Sequence, residues 1–140
     1  MLVFQNVFSQ PLKANDLTII WSMGHVEVDM EIKSPDGGRS VKASALVDTG
    51  ATFTVITQTI AKQLGLKSTG ERVKVTTERG ADELDLTHAL LEVDGKRRIM
   101  PVLVSRSLDR VLLGVITLEA MQLRVNPASG KLEEHSALLY

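Results

Sequence analysis

The sequence predicts a mainly β domain carrying one or two short helices, and three observations lead there. Apolar and polar residues alternate over residues 26–33 and again over residues 41–47, the period of half-buried strands. Clusters of turn formers punctuate such runs, among them Ser34-Pro35-Asp36-Gly37-Gly38, Asp94-Gly95 and Asn126-Pro127-Ala128-Ser129-Gly130. Helical spacing is confined to two short stretches, near residues 58–64 and 116–122.

In chain order, residues 1–23 are poorly patterned, mixing Pro11, Asn15 and Asp16 with a short apolar run, and read as an extension of uncertain role before a domain over residues 24–133. Val26, Val28, Met30 and Ile32 share one strand face, and Val41, Ala43, Ala45 and Val47 share another, so the two segments form a hairpin about the 34–38 turn. The second strand delivers Asp48, Thr49 and Gly50 to a bend, after which Phe53-Thr54-Val55-Ile56 is β-like again. Thr57 is placed to cap a helix over residues 58–64, with Ile60 and Leu64 on one face and Gly65 as its stop.

Residues 71–77 and 83–93 are β-like and flank a five-residue loop, Glu78-Arg79-Gly80-Ala81-Asp82. Asp94-Gly95 is the strongest two-residue hairpin signal and leads into residues 99–104, where Pro101 suggests an edge position or a bulge. The apolar run Val111-Leu112-Leu113-Gly114 precedes a helix over residues 116–122, which Thr117 could cap. Two short strands around the 126–130 turn follow, and residues 134–140 form a tail that could pair with another strand. The repeated Val-Ile-Thr at 55–57 and 115–117 hints at two related halves, with chance a fair competitor.

Composition narrows the function. With 140 residues, 44% hydrophobic and 24% charged, the chain can bury one real core without staples. A formal net charge of -1 and a pI near 6.3 give no pull toward nucleic acid or an anionic membrane surface. The absence of cysteine removes disulfides, thiolate catalysis and zinc-thiolate sites together, and His25, His88 and His135 have no metal-ligand spacing, so neither a cofactor nor a metal is expected. No apolar run approaches a membrane span, and the expectation is a soluble cytoplasmic protein.

The order strand, hairpin, strand, Asp48-Thr49-Gly50-Ala51, strand, short helix, long hairpin, strand, Leu112-Leu113-Gly114, short helix resembles the retroviral-type (retropepsin-like) aspartic proteases over roughly residues 24–133. The resemblance implies a closed, barrel-like acid protease fold with one lobe per chain. It implies an aspartic endopeptidase with Asp48 catalytic, Thr49, Gly50 and Ala51 supporting its loop, and Leu112, Leu113 and Gly114 as a second motif behind that loop. Arg79, Gly80 and Ala81 would form a flap over an extended peptide substrate. Aspartic proteases need two carboxylates close enough to share a proton, so that one activates water as base while the other donates to the peptide carbonyl. This chain supplies one Asp-Thr-Gly, so a two-fold homodimer is the economical source of the second carboxylate. Val115 stands where many retroviral members carry an Arg that ties the dimer. The alternative is a peptide-binding or assembly module of the same fold that does not cut.

Overall fold

The structure, a computed structural model, describes residues 26–136 and residue 139. The extension expected over residues 1–23 lies outside the described residues, as do residues 137, 138 and 140 of the expected pairing tail.

Nine strands and two helices are present among the described residues. Strands β1 (Glu27–Lys33) and β2 (Ser40–Val47) form the first hairpin, followed by β3 (Thr54–Thr57) and helix α1 (Gln58–Leu64). Strands β4 (Arg72–Thr77), β5 (Gly80–Val93) and β6 (Lys96–Ser105) form a meander. Then come β7 (Val111–Leu113), helix α2 (Val115–Ala120), β8 (Leu123–Asn126) and β9 (Lys131–Glu134). The main sheet runs β1-β2-β7-β3-β6-β5-β4, and an extra β1–β5 pairing closes six of its strands into a barrel with β4 attached outside. Strands β8 and β9 make a separate ribbon. Among the described residues, no helix is long and apolar enough to cross a membrane.

The apolar runs are continuous where strands are buried on both faces. Ala45, Val47, Ile56, Val102, Val111 and Leu113 point into the barrel core, whereas Leu46, Val55, Leu103 and Leu112 join a second cluster with Val73, Val75 and Leu84 of the β4–β5 hairpin. Neither face of these segments meets water, so no polar alternation is called for. Strand β1 has one face on the core, and Met30 and Ile32 there are buried while Asp29 is exposed.

Helix α1 has the expected limits. The Thr57 hydroxyl accepts the Ile60 N–H at 3.2 Å, and Gly65 adopts the left-handed conformation (φ 65°) with its N–H returned to the last turn. Asp94 and Gly95 (φ 52° and 76°) make the tight β5–β6 turn that their sequence predicts.

Three local expectations are corrected, and a fourth, at Pro101, is refined. The loop at residues 78–82 is only two residues long, because β4–β5 pairing continues through Val75↔Asp82, Thr76↔Ala81 and Thr77↔Gly80. Pro101 makes no bulge, and it stands at a locally open edge, on the half of β6 that is paired on one side only. Its strand is in unbroken register with β5, and the missing N–H is tolerated because pairing with β3 begins only at Val102. Thr117 does not cap α2, which starts earlier on Gly114 with no side-chain cap. The repeated Val-Ile-Thr occupies a strand in one place and a helical turn in the other, so it marks no structural repeat.

Candidate active site

Strand β7 is inserted between the two strands that flank the Asp48 bend. It pairs in parallel with β2 (Val47↔Leu113) and antiparallel with β3 (Val55↔Leu112), so the chain leaving β2 must loop over β7 before returning as β3. Asp48 sits at the start of that loop. Its N–H donates to the Leu113 carbonyl at 2.9 Å, its own carbonyl accepts the Ala51 N–H at 3.1 Å, and its Oδ1 accepts the Gly50 N–H at 3.0 Å. A second pair of backbone bonds, Val115 N–H to the Ala51 carbonyl (2.8 Å) and Ile116 N–H to the Thr52 carbonyl (3.0 Å), ties the far side of the loop to the first turn of α2.

Gly114 is required at the crossing by contact rather than by backbone torsion. A Cβ there would lie 2.4 Å from both the carbonyl carbon and the oxygen of Phe53, and 2.8 Å from the Thr54 nitrogen. The Gly114 N–H donates to Thr54 Oγ1 at 3.0 Å, and Thr54 Oγ1 lies 2.7 Å from Thr117 Oγ1. Leu112 and Leu113 are buried on opposite faces of β7, the first beside Val55 and the second in the barrel core.

The carboxyl of Asp48 is sealed from solvent at 0% exposure, and its Oδ2 has no hydrogen-bond partner among the described residues. Burial pushes the carboxyl above the usual carboxylate range, against the opposing pull of the Gly50 and Ala51 N–H groups. A buried carboxyl oxygen without a donor is costly when ionised, and it is suited to holding or sharing a proton. Thr49, next in the chain, is exposed.

The β4–β5 hairpin stands over the residues that follow the bend. One cavity of about 280 Å³ lies between Gly50–Phe53 and the β4 residues Val73–Thr76. A second, also of about 280 Å³, lies between Val55, Leu112 and the hairpin tip at Glu78 and Arg79. The two share Val55 and Val75, and Asp48 lines neither. Arg79, Gly80 and Ala81 are exposed at or beside the tip, where Gly80 takes φ 117° and its carbonyl accepts the Thr77 hydroxyl at 3.1 Å. Among the described residues, no group of three or more His, Cys, Asp or Glu side chains is placed to hold a metal ion.

The structure thus brings Asp48, Gly50, Ala51, Leu113 and Gly114 into one hydrogen-bonded crossing and sets Arg79–Ala81 at the far end of an adjacent hairpin. Sequence reasoning passed over Thr54 and misassigned Thr117. The usable signal was a hydroxyl inside the apolar run Phe53-Thr54-Val55-Ile56, since a buried hydroxyl must find a partner.

Comparison with known proteins agrees with this geometry. A family model described as gag-polyprotein putative aspartyl protease matches residues 37–120. No curated protein sequence matches significantly. Among solved structures, the EIAV protease in complex with the inhibitor HBY-793 is 21% identical, with a TM-score of 0.53 over 69% of this chain and 86% of that one. A retropepsin-like aspartic protease from Rickettsia conorii is 27% identical, with a TM-score of 0.53 over 74% of this chain and 85% of that one. The retroviral protease-like domain of Ddi1 from Leishmania major has the same fold at 14% identity, with a TM-score of 0.50 over 78% of this chain and 87% of that one.

Proposed function

The chain belongs to the gag-polyprotein aspartyl protease family, and from that premise we propose that it is an aspartic endopeptidase whose active site forms when two chains associate. The observation that carries this reading is the buried Asp48 Oδ2, without a partner while Oδ1 is held by the Gly50 N–H. In a two-fold assembly that uncovers the sealed carboxyl, each Asp48 meets its copy, and two carboxyls in contact cannot both ionise readily, so the pair shares one proton. The ionised member takes a proton from water as the water attacks the peptide carbonyl, and the protonated member donates to the carbonyl oxygen. Substrate peptide bonds are thereby hydrolysed without a covalent enzyme intermediate.

The surrounding residues have supporting roles in this reading. The Leu113 carbonyl and the Gly114 backbone hold the Asp48 loop, and Thr49, exposed beside Asp48, has a hydroxyl free to brace the loop of the second chain. Arg79, Gly80 and Ala81 act as a flap that covers an extended peptide lying between the hairpin and Gly50–Phe53, excluding water from the reacting bond.

The test is to incubate the wild type and the Asp48→Asn variant with a diverse peptide library and map the cuts. Cleavage that is blocked by pepstatin and absent from a folded Asp48→Asn variant is the expected result. Undiminished cleavage by the variant would remove the proposal, and a folded wild type that binds peptides without cutting them would favour the assembly-module alternative.

A further inference from the structure

A groove elsewhere on the molecule is not part of this site. An open groove of about 640 Å³ lies between the 34–39 turn, the end of α1, the segment that leads into β4, and Thr87 and His88 on β5. It shares no lining residue with the two cavities beside the Asp48 loop.

Its chemistry is cationic over an apolar floor. Two cations, Arg39 and Lys67, line it and are exposed, above Leu64, which is buried, and Leu66, which packs on the core. Neither Arg39 nor Lys67 forms an ion pair among the described residues. The Arg39 guanidinium makes one long contact, 3.5 Å to the Gln63 carbonyl, and lies against Gly65, where a side chain would displace it. Asp36, the one acid among the described residues that line the groove, is engaged by the Ser34 hydroxyl (2.7 Å) and the Gly38 N–H (2.9 Å), which with the nearby Arg39 charge hold it below the usual carboxylate range.

The walls are also braced. The Thr87 hydroxyl donates to the Lys67 carbonyl at 2.6 Å, the Thr69 N–H to the Leu86 carbonyl at 2.9 Å, and the Leu86 N–H to the Glu71 carbonyl at 3.0 Å. The segment carrying Lys67 is therefore laced to β5, and less ordering is left for a ligand to impose. A lone inorganic anion would leave most of a groove this size, and its apolar floor, unused.

We infer that this groove docks an acidic peptide segment, with carboxylates facing Arg39 and Lys67 and aliphatic carbon on Leu64 and Leu66. The reading of that segment as part of a substrate, held away from the bond to be cut, rests on the endopeptidase proposal; the binding itself does not.

Binding is measured by fluorescence anisotropy at low salt, using a short labelled peptide alternating glutamate and leucine. The same peptide with glutamine for glutamate is the comparison. The acidic peptide is expected to bind the wild type and Asp48→Asn equally, and the glutamine peptide to bind neither. Arg39→Ala with Lys67→Ala should weaken binding roughly fivefold to tenfold, as expected for two solvent-screened ion pairs, while Lys131→Ala leaves it unchanged. Equal binding by the double variant or of the glutamine peptide overturns the inference, as does loss of binding in Asp48→Asn. Displacement by inorganic phosphate at the peptide's own concentration also overturns it, in favour of a simple anion site. Since cleavage is not read, failure here leaves the endopeptidase proposal standing, and failure of that proposal leaves this result intact.

Discussion

Thr54 Oγ1 and Thr117 Oγ1 lie 2.7 Å apart, both side chains sealed from solvent, and the same Thr54 oxygen accepts the Gly114 N–H at 3.0 Å. One hydroxyl thus joins the strand after the Asp48 bend to the glycine that β7 carries beneath it, and to the first helix turn beyond. Thr54→Val keeps the shape but leaves the Gly114 N–H and the Thr117 hydroxyl without their partner, a loss of about 1–3 kcal/mol for buried polar groups. Thr54→Ser keeps the oxygen and should recover most of that. Urea unfolding of both variants measures it, and equal midpoints for Val and Ser would show that the hydroxyl is not what holds the crossing.

At Gly114 the constraint is steric. A Cβ would meet the Phe53 carbonyl at 2.4 Å, which is backbone and cannot rotate away. Gly114→Ala should therefore destabilise the fold by about 3 kcal/mol, the upper end for forced overpacking. Gly70 is the control, because it has φ 87° with nothing within 4 Å of its Cβ position. Gly70→Ala meets only the torsional penalty of the left-handed region, about 1 kcal/mol. Comparable losses from the two substitutions would refute the close-approach argument.

What was legible in the sequence was local. Thr57 and Gly65 bracket α1 because a cap and a left-handed stop act within one turn, and Asp94-Gly95 fixes a hairpin because both residues tolerate positive φ. The approach of Ala45-Leu46-Val47 and Val111-Leu112-Leu113 to the bend also showed, as apolar runs ending in Asp or Gly. What stayed hidden depends on distant partners. Thr117 has cap chemistry wherever it stands, and only the fold reveals that its hydroxyl meets Thr54, 63 positions away. Likewise Gly80-Ala81-Asp82 has loop composition, and it becomes strand because β4 offers it a ladder.

The burial of Asp48 sets a pH dependence with a definite sign. Its native carboxyl titrates above the ordinary value because desolvation disfavours the anion. Below about pH 4 the unfolded chain also holds this proton, so the position costs nothing there. As pH rises, the unfolded chain releases the proton first, the native state binds more protons, and stability falls until the native carboxyl ionises too. Asp48→Asn removes that loss. Measured by urea unfolding at concentrations low enough to keep chains apart, the variant should gain on the wild type as pH climbs from about 4, with the gap levelling off above the native pKa. A gap that is constant with pH, or that widens toward acid, contradicts a carboxyl held neutral by burial.

The last prediction concerns assembly. Each chain brings one Asp-Thr-Gly, so under the endopeptidase proposal only the dimer cuts, and Val115, apolar and half-buried, stands where the resemblance to retroviral members would lead one to expect a charged tie. The Val115 N–H is already used within its own chain, on the Ala51 carbonyl at 2.8 Å. A weak dimer is therefore expected, and mass action then makes the cleavage rate rise with the square of chain concentration in the dilute range, about fourfold for each doubling. Excess Asp48→Asn should suppress the wild-type rate by drawing chains into mixed pairs that lack the second carboxyl. A single polypeptide carrying two copies joined by a flexible linker should lose the concentration dependence, because pairing becomes intramolecular. A rate that stays linear in concentration at the lowest dilution and ignores added Asp48→Asn would mean that one chain cuts alone, and the second carboxylate would have to be sought within it.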